Sequence, residues 1–89
     1  MTMTTAADRR APDMLAKAQL ARTCNELGEP WPAWSTGEQL AVAVLLQDTD
    51  TIVGLGYTEH DALQRLRRTY GFHQLATATQ WFADLRARL

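Results

Sequence analysis

The chain has 89 residues, is 46% apolar and 21% charged, and carries a net charge of −1. That balance excludes a disordered polyelectrolyte and describes one small domain. A domain of this size buries only about 60 to 65% of the surface its unfolded chain exposes, so its stability margin is thin.

The lone Cys24 can form no internal disulfide, which points to a reducing, cytoplasmic setting. The longest strongly apolar run, Leu40 to Leu46, is far short of the roughly 20 residues that cross a bilayer. The opening "MTMTTAADRRAP" lacks the apolar middle of a signal peptide, so neither export nor membrane insertion is expected. Eight arginines against one lysine, with abundant alanine, are the mark of a GC-rich genome.

Residues 1–12 are small and polar without an apolar period and read as a loose arm. A first helix begins near Pro12 or Asp13, because proline suits a first turn, and Gly28 ends it. Met14, Ala18 and Ala21 form one apolar stripe on it, and Leu20, Cys24 and Leu27 a neighbouring one. Cys24 thus reads as a buried, inert thiol. The segment "EPWPAW" cannot be helical across two prolines. Its Trp31 and Trp34 either fold back as lids on the core or stand out as a docking site.

"STGE" then opens a second helix with a capping box, in which Ser35 accepts from an early backbone N–H and Glu38 reaches back. From Leu40 to Leu46 every residue is apolar, which implies a central helix surrounded by neighbours. The pattern resumes at Ile52, Val53 and Leu55, with a break around the Asp-Thr pairs left open. Gly54 and Gly56 end that helix, and Thr58 caps a third that runs to Tyr70 and buries Ala62, Leu63, Leu66 and Tyr70. Gly71 stops it, and Thr77 with Gln80 caps a fourth carrying Ala78, Trp81, Phe82, Leu85 and Leu89. The expected fold is a compact all-α domain of four helices.

Catalytic chemistry is poorly supplied. The only serine is committed to a cap, and His60 and His73 flank the third helix without Cys or Glu at ligand spacing. Asp48 and Asp50 point apart in a helix, and "GLGYTEHD" lacks the third glycine, the strand and the lysine of a phosphate loop. No catalytic residue, metal or cofactor is expected.

The corner "TIVGLGYTEHDAL" has the size of a helix-turn-helix. Its second helix, however, would lead with Glu59 and Asp61, and carboxylates there repel the DNA backbone. Residues 23–64 carry seven acids and no Lys or Arg, whereas residues 65–89 carry Arg65, Arg67, Arg68, Arg86 and Arg88 against Asp84 alone. The basic end keeps nucleic-acid binding open as an alternative, and opposite charges on one body favour docking onto a protein or self-association, including a homodimer.

Two resemblances meet at this corner. "IVGLGYTEHDALQRLRRTYGFHQLATATQWF", residues 52–82, resembles a ubiquitin-associated (UBA) domain: a Gly-aromatic loop, an Ala-Leu pair, a glycine and a late "WF". In that family the loop and last helix form a ubiquitin surface, which the resemblance carries to Gly56, Tyr57, Trp81 and Phe82. Leu55 stands where the family has methionine, and the helix before the loop is longer and more apolar.

"WSTGEQLAVAVLLQDTDTIVGLGYTEHDAL", residues 34–63, is similar to a recurrent segment of small proteins from actinobacteria and their bacteriophages. It implies a small cytoplasmic helical protein, phage-encoded, whose host has no ubiquitin. The expectation is a UBA-like three-helix core packed by a first helix over residues 13–89, binding a protein partner, in this reading a host bacterial protein. Its contacts are Trp31, Trp34, Tyr57, Arg65, Arg68 and Trp81, aromatics and arginines being the usual interface anchors. Each aromatic serves equally well as core, because a small domain needs most of its large side chains inside.

Overall fold

The computed structural model describes residues 6–89. Five helices form among them: α1 (Ala6–Leu27), α2 (Thr36–Leu46), α3 (Thr49–Gly54), α4 (Glu59–Thr69) and α5 (Leu75–Arg86), with no strand. The described residues are all-α, with five helices where four were expected. No helix of the described residues is long and apolar enough to cross a membrane.

The capping box forms as expected: Ser35 Oγ accepts from the Glu38 N–H at 3.2 Å, and Glu38 Oε1 accepts from the Ser35 N–H at 3.4 Å. Every side chain from Leu40 to Leu45 is then buried, because α2 packs against each of the other four helices. Leu40, Leu45, Val42, Ile52, Leu66 and Phe82 are the largest wholly enclosed side chains. Burying each contributes about 1.5 to 3 kcal/mol. Opposite the box, Arg86 from α5 donates to the Leu45 and Val44 carbonyls at 2.7 and 2.9 Å, adding a second donor at Val44, which already accepts from the Gln47 N–H.

Crossed backbone bonds close four turns. Around Gly28, Gly56 and Gly71, all at positive φ, the next N–H reaches back five residues: Glu29 to Cys24, Tyr57 to Ile52, Phe72 to Arg67. The fourth turn separates α2 from α3 at Gln47, whose φ of 56° is left-handed without a glycine. Asp48 then caps α3, accepting from the Thr51 N–H at 3.1 Å and the Thr51 hydroxyl at 2.7 Å. The first helix of the UBA-like reading is therefore two pieces, and the packing centre lies in α2, ahead of residues 52–82.

Three further expectations are corrected. Of the arm expected over residues 1–12, residues 1–5 lie outside the described residues and 6–12 are helical. Pro12 sits inside α1 rather than opening it. Ala7, Ala11, Met14, Ala18 and Ala21 form one buried stripe with steps of four and three, and that burial carries the helix past the proline. On the neighbouring stripe only Cys24 is buried, while Leu20 and Leu27 are 46% and 65% exposed, because nothing among the described elements covers that side. Thr77 lies within α5 and caps nothing. That helix starts at Leu75, where the Ala78 N–H already bonds the Gln74 carbonyl, and Arg67 holds the Phe72 carbonyl at 3.1 Å in the connection before it.

Candidate functional site

The six expected contact residues separate into groups. Trp31 and Trp34 are half-buried against the core with their rings 6.1 Å apart, Trp31 Nε1 donating to Asn25 Oδ1 at 2.9 Å and Gln39 donating to the Trp34 carbonyl at 2.8 Å. That is the lid arrangement. Tyr57 is also half-buried, and its hydroxyl accepts from Arg65, whose guanidinium lies 5.6 Å from the ring centre and beside Gly37 at the start of α2. The pair braces the corner between α3 and α4. Arg68 is exposed.

Trp81 belongs to a different cluster. Around it stand Phe82, Phe72 and Tyr70, with ring centres 5.1, 5.7 and 6.0 Å away. Phe82 is sealed in the core at 1% exposure, so it cannot serve the ubiquitin-type surface that the UBA resemblance assigns to it. Tyr70, Phe72 and Trp81 remain half-buried and form an aromatic ridge across the end of α4, the following turn and α5. Open hollows flank it. Phe72, Ala76, Thr77 and Gln80 line one with Trp81, and Ala11, Asp84, Leu85 and Arg88 line another.

The first turns of α1 lie on this ridge. Trp81 Nε1 donates to Asp8 Oδ1 at 3.1 Å, and the Arg10 guanidinium sits 5.1 Å from the Tyr70 ring centre in cation–π geometry. Beyond Tyr70 a half-open cleft of about 230 Å3 runs between α1 and α2, floored by Met14, Ala41 and Val42 and rimmed by Arg10, Lys17 and Glu38. Burial raises the Tyr70 hydroxyl above the ordinary phenol range, opposed by the charge of Arg10. Lys17 bridges Asp13 and Glu38, and the hydrogen bonds it donates to those carboxylates raise its pKa. Glu38 is lowered, first by Lys17 and then by Ser35.

Sequence reasoning missed Asp8, Arg10 and Phe72 and placed Tyr70 wholly in the core. A signal for the first two existed: the spacing of Met14, Ala18 and Ala21 extends back through Ala11 to Ala7, so the helix could have been carried to residue 7. The groups weighed for chemistry are placed apart from the ridge or otherwise engaged. His60 and His73 are exposed, Asp48 is the α3 cap, and Ser35 serves its box. Among the described residues no three His, Cys, Asp or Glu side chains gather as metal ligands.

No protein-family model, no curated protein and no solved structure matches the chain.

Proposed function

We propose that this protein is a non-enzymatic docking module that presents Tyr70, Phe72 and Trp81 to another protein, a host bacterial protein if the phage-like segment is what it resembles. The observation that carries this reading is the ridge itself. A domain with a thin stability margin leaves three large aromatic side chains partly exposed at the edge of its core, side by side, with hollows next to them. Rigid aromatics beside a cavity are the groups on which interface energy concentrates.

Of the residues expected from sequence, Trp81 is the anchor in this reading. Trp31 and Trp34 support the lid, and Tyr57 with Arg65 supports the corner. The test is capture of a bacterial partner by the parent chain, followed by titration of that purified partner against Trp81→Ala, Phe72→Ala and Trp31→Ala, each first shown to be folded. The expected result is a loss of affinity of at least about tenfold for the first two, as for a hot-spot truncation, and little change for the third. Equal affinity of the Trp81→Ala chain and the parent overturns the assignment. A complex with DNA that weakens steeply with salt would favour the alternative use of the arginines at the basic end.

A further inference from the structure

The surface beside Trp81 is already occupied by a piece of the same chain, and the chemistry of that piece indicates what else fits there. Ala7 and Ala11 turn their methyl groups inward, at 0% and 4% exposure, and Ala11 shares a hollow with Trp81 and Leu85. Between them Asp8 takes the Trp81 indole N–H, and Arg10 lies over Tyr70, although both side chains are largely exposed. Contacts of this kind give up little buried area when they open.

Pro12 makes the opening local. Proline has no N–H, so the Asp8 carbonyl loses the backbone bond that would tie it to the next turn, and the helix on either side is coupled less tightly. Ala11 still reaches the main core, but from Met14 onward α1 is held by more of it, by Met14, Ala18 and Ala21, and in addition by the Lys17 bridge to Glu38 on α2.

We propose that Tyr70, Trp81 and Leu85 form a receptor for a short helix, and that residues 6–11 occupy it in cis as a displaceable stand-in. The partner element is then an alanine-faced helical turn bearing a carboxylate for the Trp81 indole N–H and, two residues on, a cation for the Tyr70 ring. This rests on the docking role proposed above and names the kind of segment that docks. An occupied receptor binds a competitor more weakly by the fraction of molecules that are open, so loosening the stand-in tightens binding in trans.

The experiment uses the full chain and a labelled peptide of residues 6–18 as the probe. In the parent, the Trp81 indole N–H resonance reports the closed state. In the Asp8→Ala/Arg10→Ala double variant it shifts toward a solvated value, while amide exchange at Leu40–Leu45 stays as slow as in the parent. Loss of one charge-assisted hydrogen bond and one cation–π contact should tighten peptide binding by roughly tenfold or more. Arg10→Gln, which keeps the Asp8 bond, should give a smaller change in the same direction.

Equal peptide affinity for the parent and both variants overturns the proposal. So does an indole N–H that exchanges only when Leu40–Leu45 exchange, because the segment is then part of the core. A chain that opens and takes the peptide but captures no bacterial protein upholds this inference and defeats the docking role. Capture through Trp81 by a chain whose first turns never open does the reverse.

Discussion

Helix α2 and the first two turns of α1 are both alanine-bearing helical segments, yet they are held in opposite ways. In α2 six consecutive side chains are enclosed, and both ends are closed by side chains, Ser35 with Glu38 at one end and Arg86 at the other. The contacts that the start of α1 makes with the rest of the described residues include two buried methyl groups, the Asp8 bond to Trp81 and the Arg10 cation over a ring, with a proline behind them. Stability is therefore concentrated where the chain is apolar on all sides. The segment that touches the candidate docking ridge is the one that can leave at least cost.

The largest test of that contrast is truncation on α2 against truncation on the outer side of α1. Leu45→Ala removes a side chain at 0% exposure and should cost about 3 kcal/mol, whereas Leu20→Ala should stay within about 0.5 kcal/mol. Urea unfolding of both variants measures the difference, and similar losses would erase the distinction between the two regions.

Next in size is the closure of α2 by α5. Arg86→Ala strips donors from the Val44 and Leu45 carbonyls and should lower stability by about 1 to 2 kcal/mol. Arg86→Lys should recover only part of this, because a single ammonium lacks the planar fork that spans two acceptors. A neutral Arg86→Ala result would show that water satisfies the end of α2 equally well.

A gain is expected at the break between α2 and α3. Gln47 holds a left-handed conformation that costs an L-residue roughly 1 to 2 kcal/mol, and Gln47→Gly should raise stability by about 1 kcal/mol after the entropy of glycine is subtracted. An unchanged thermal midpoint would mean that the glutamine side chain contributes something its backbone geometry conceals.

The smallest effect is a pH dependence where α1 meets α2. The pKa of Glu38 is lowered by Lys17 and Ser35, so its contribution is present above the unfolded value near 4.5 and is lost as pH falls through the lower folded value. Lys17 is raised, so its contribution is present below 10.5 and is lost as pH rises through the higher folded value. Both groups are exposed enough that the slopes should be shallow. Glu38→Gln should flatten the acid limb, and an unaltered limb would assign that slope to other carboxylates.

Much of the fold was legible in short stretches. "STGE" marked the start of α2, Thr58 the start of α4, and Gly28, Gly56 and Gly71 the ends of three helices. The apolar run from Leu40 announced the central helix before any contact was known. The docking ridge was less legible. Trp81 was a candidate on residue type and on the UBA resemblance, but its neighbours Tyr70 and Phe72 fell to a core stripe and to a connection. Partial exposure depends on what packs opposite, and periodicity along one helix does not contain that information.

By itself the sequence determined an all-α chain, its central helix and most of its caps, because these depend on side chains bonding backbone groups within a few residues or on the conformations glycine allows. Only the tertiary structure decided that α1 runs back through Pro12 to Ala6, that Gln47 turns left-handed without a glycine, and that α5 begins two residues before its expected cap. For α1 and Gln47 a local preference worth about a kcal/mol or a few was outweighed by packing, of the buried stripe from Ala7 to Ala21 in the first and of Ile52 among the core side chains in the second, while α5 opens on the Ala78 bond to the Gln74 carbonyl, ahead of Thr77.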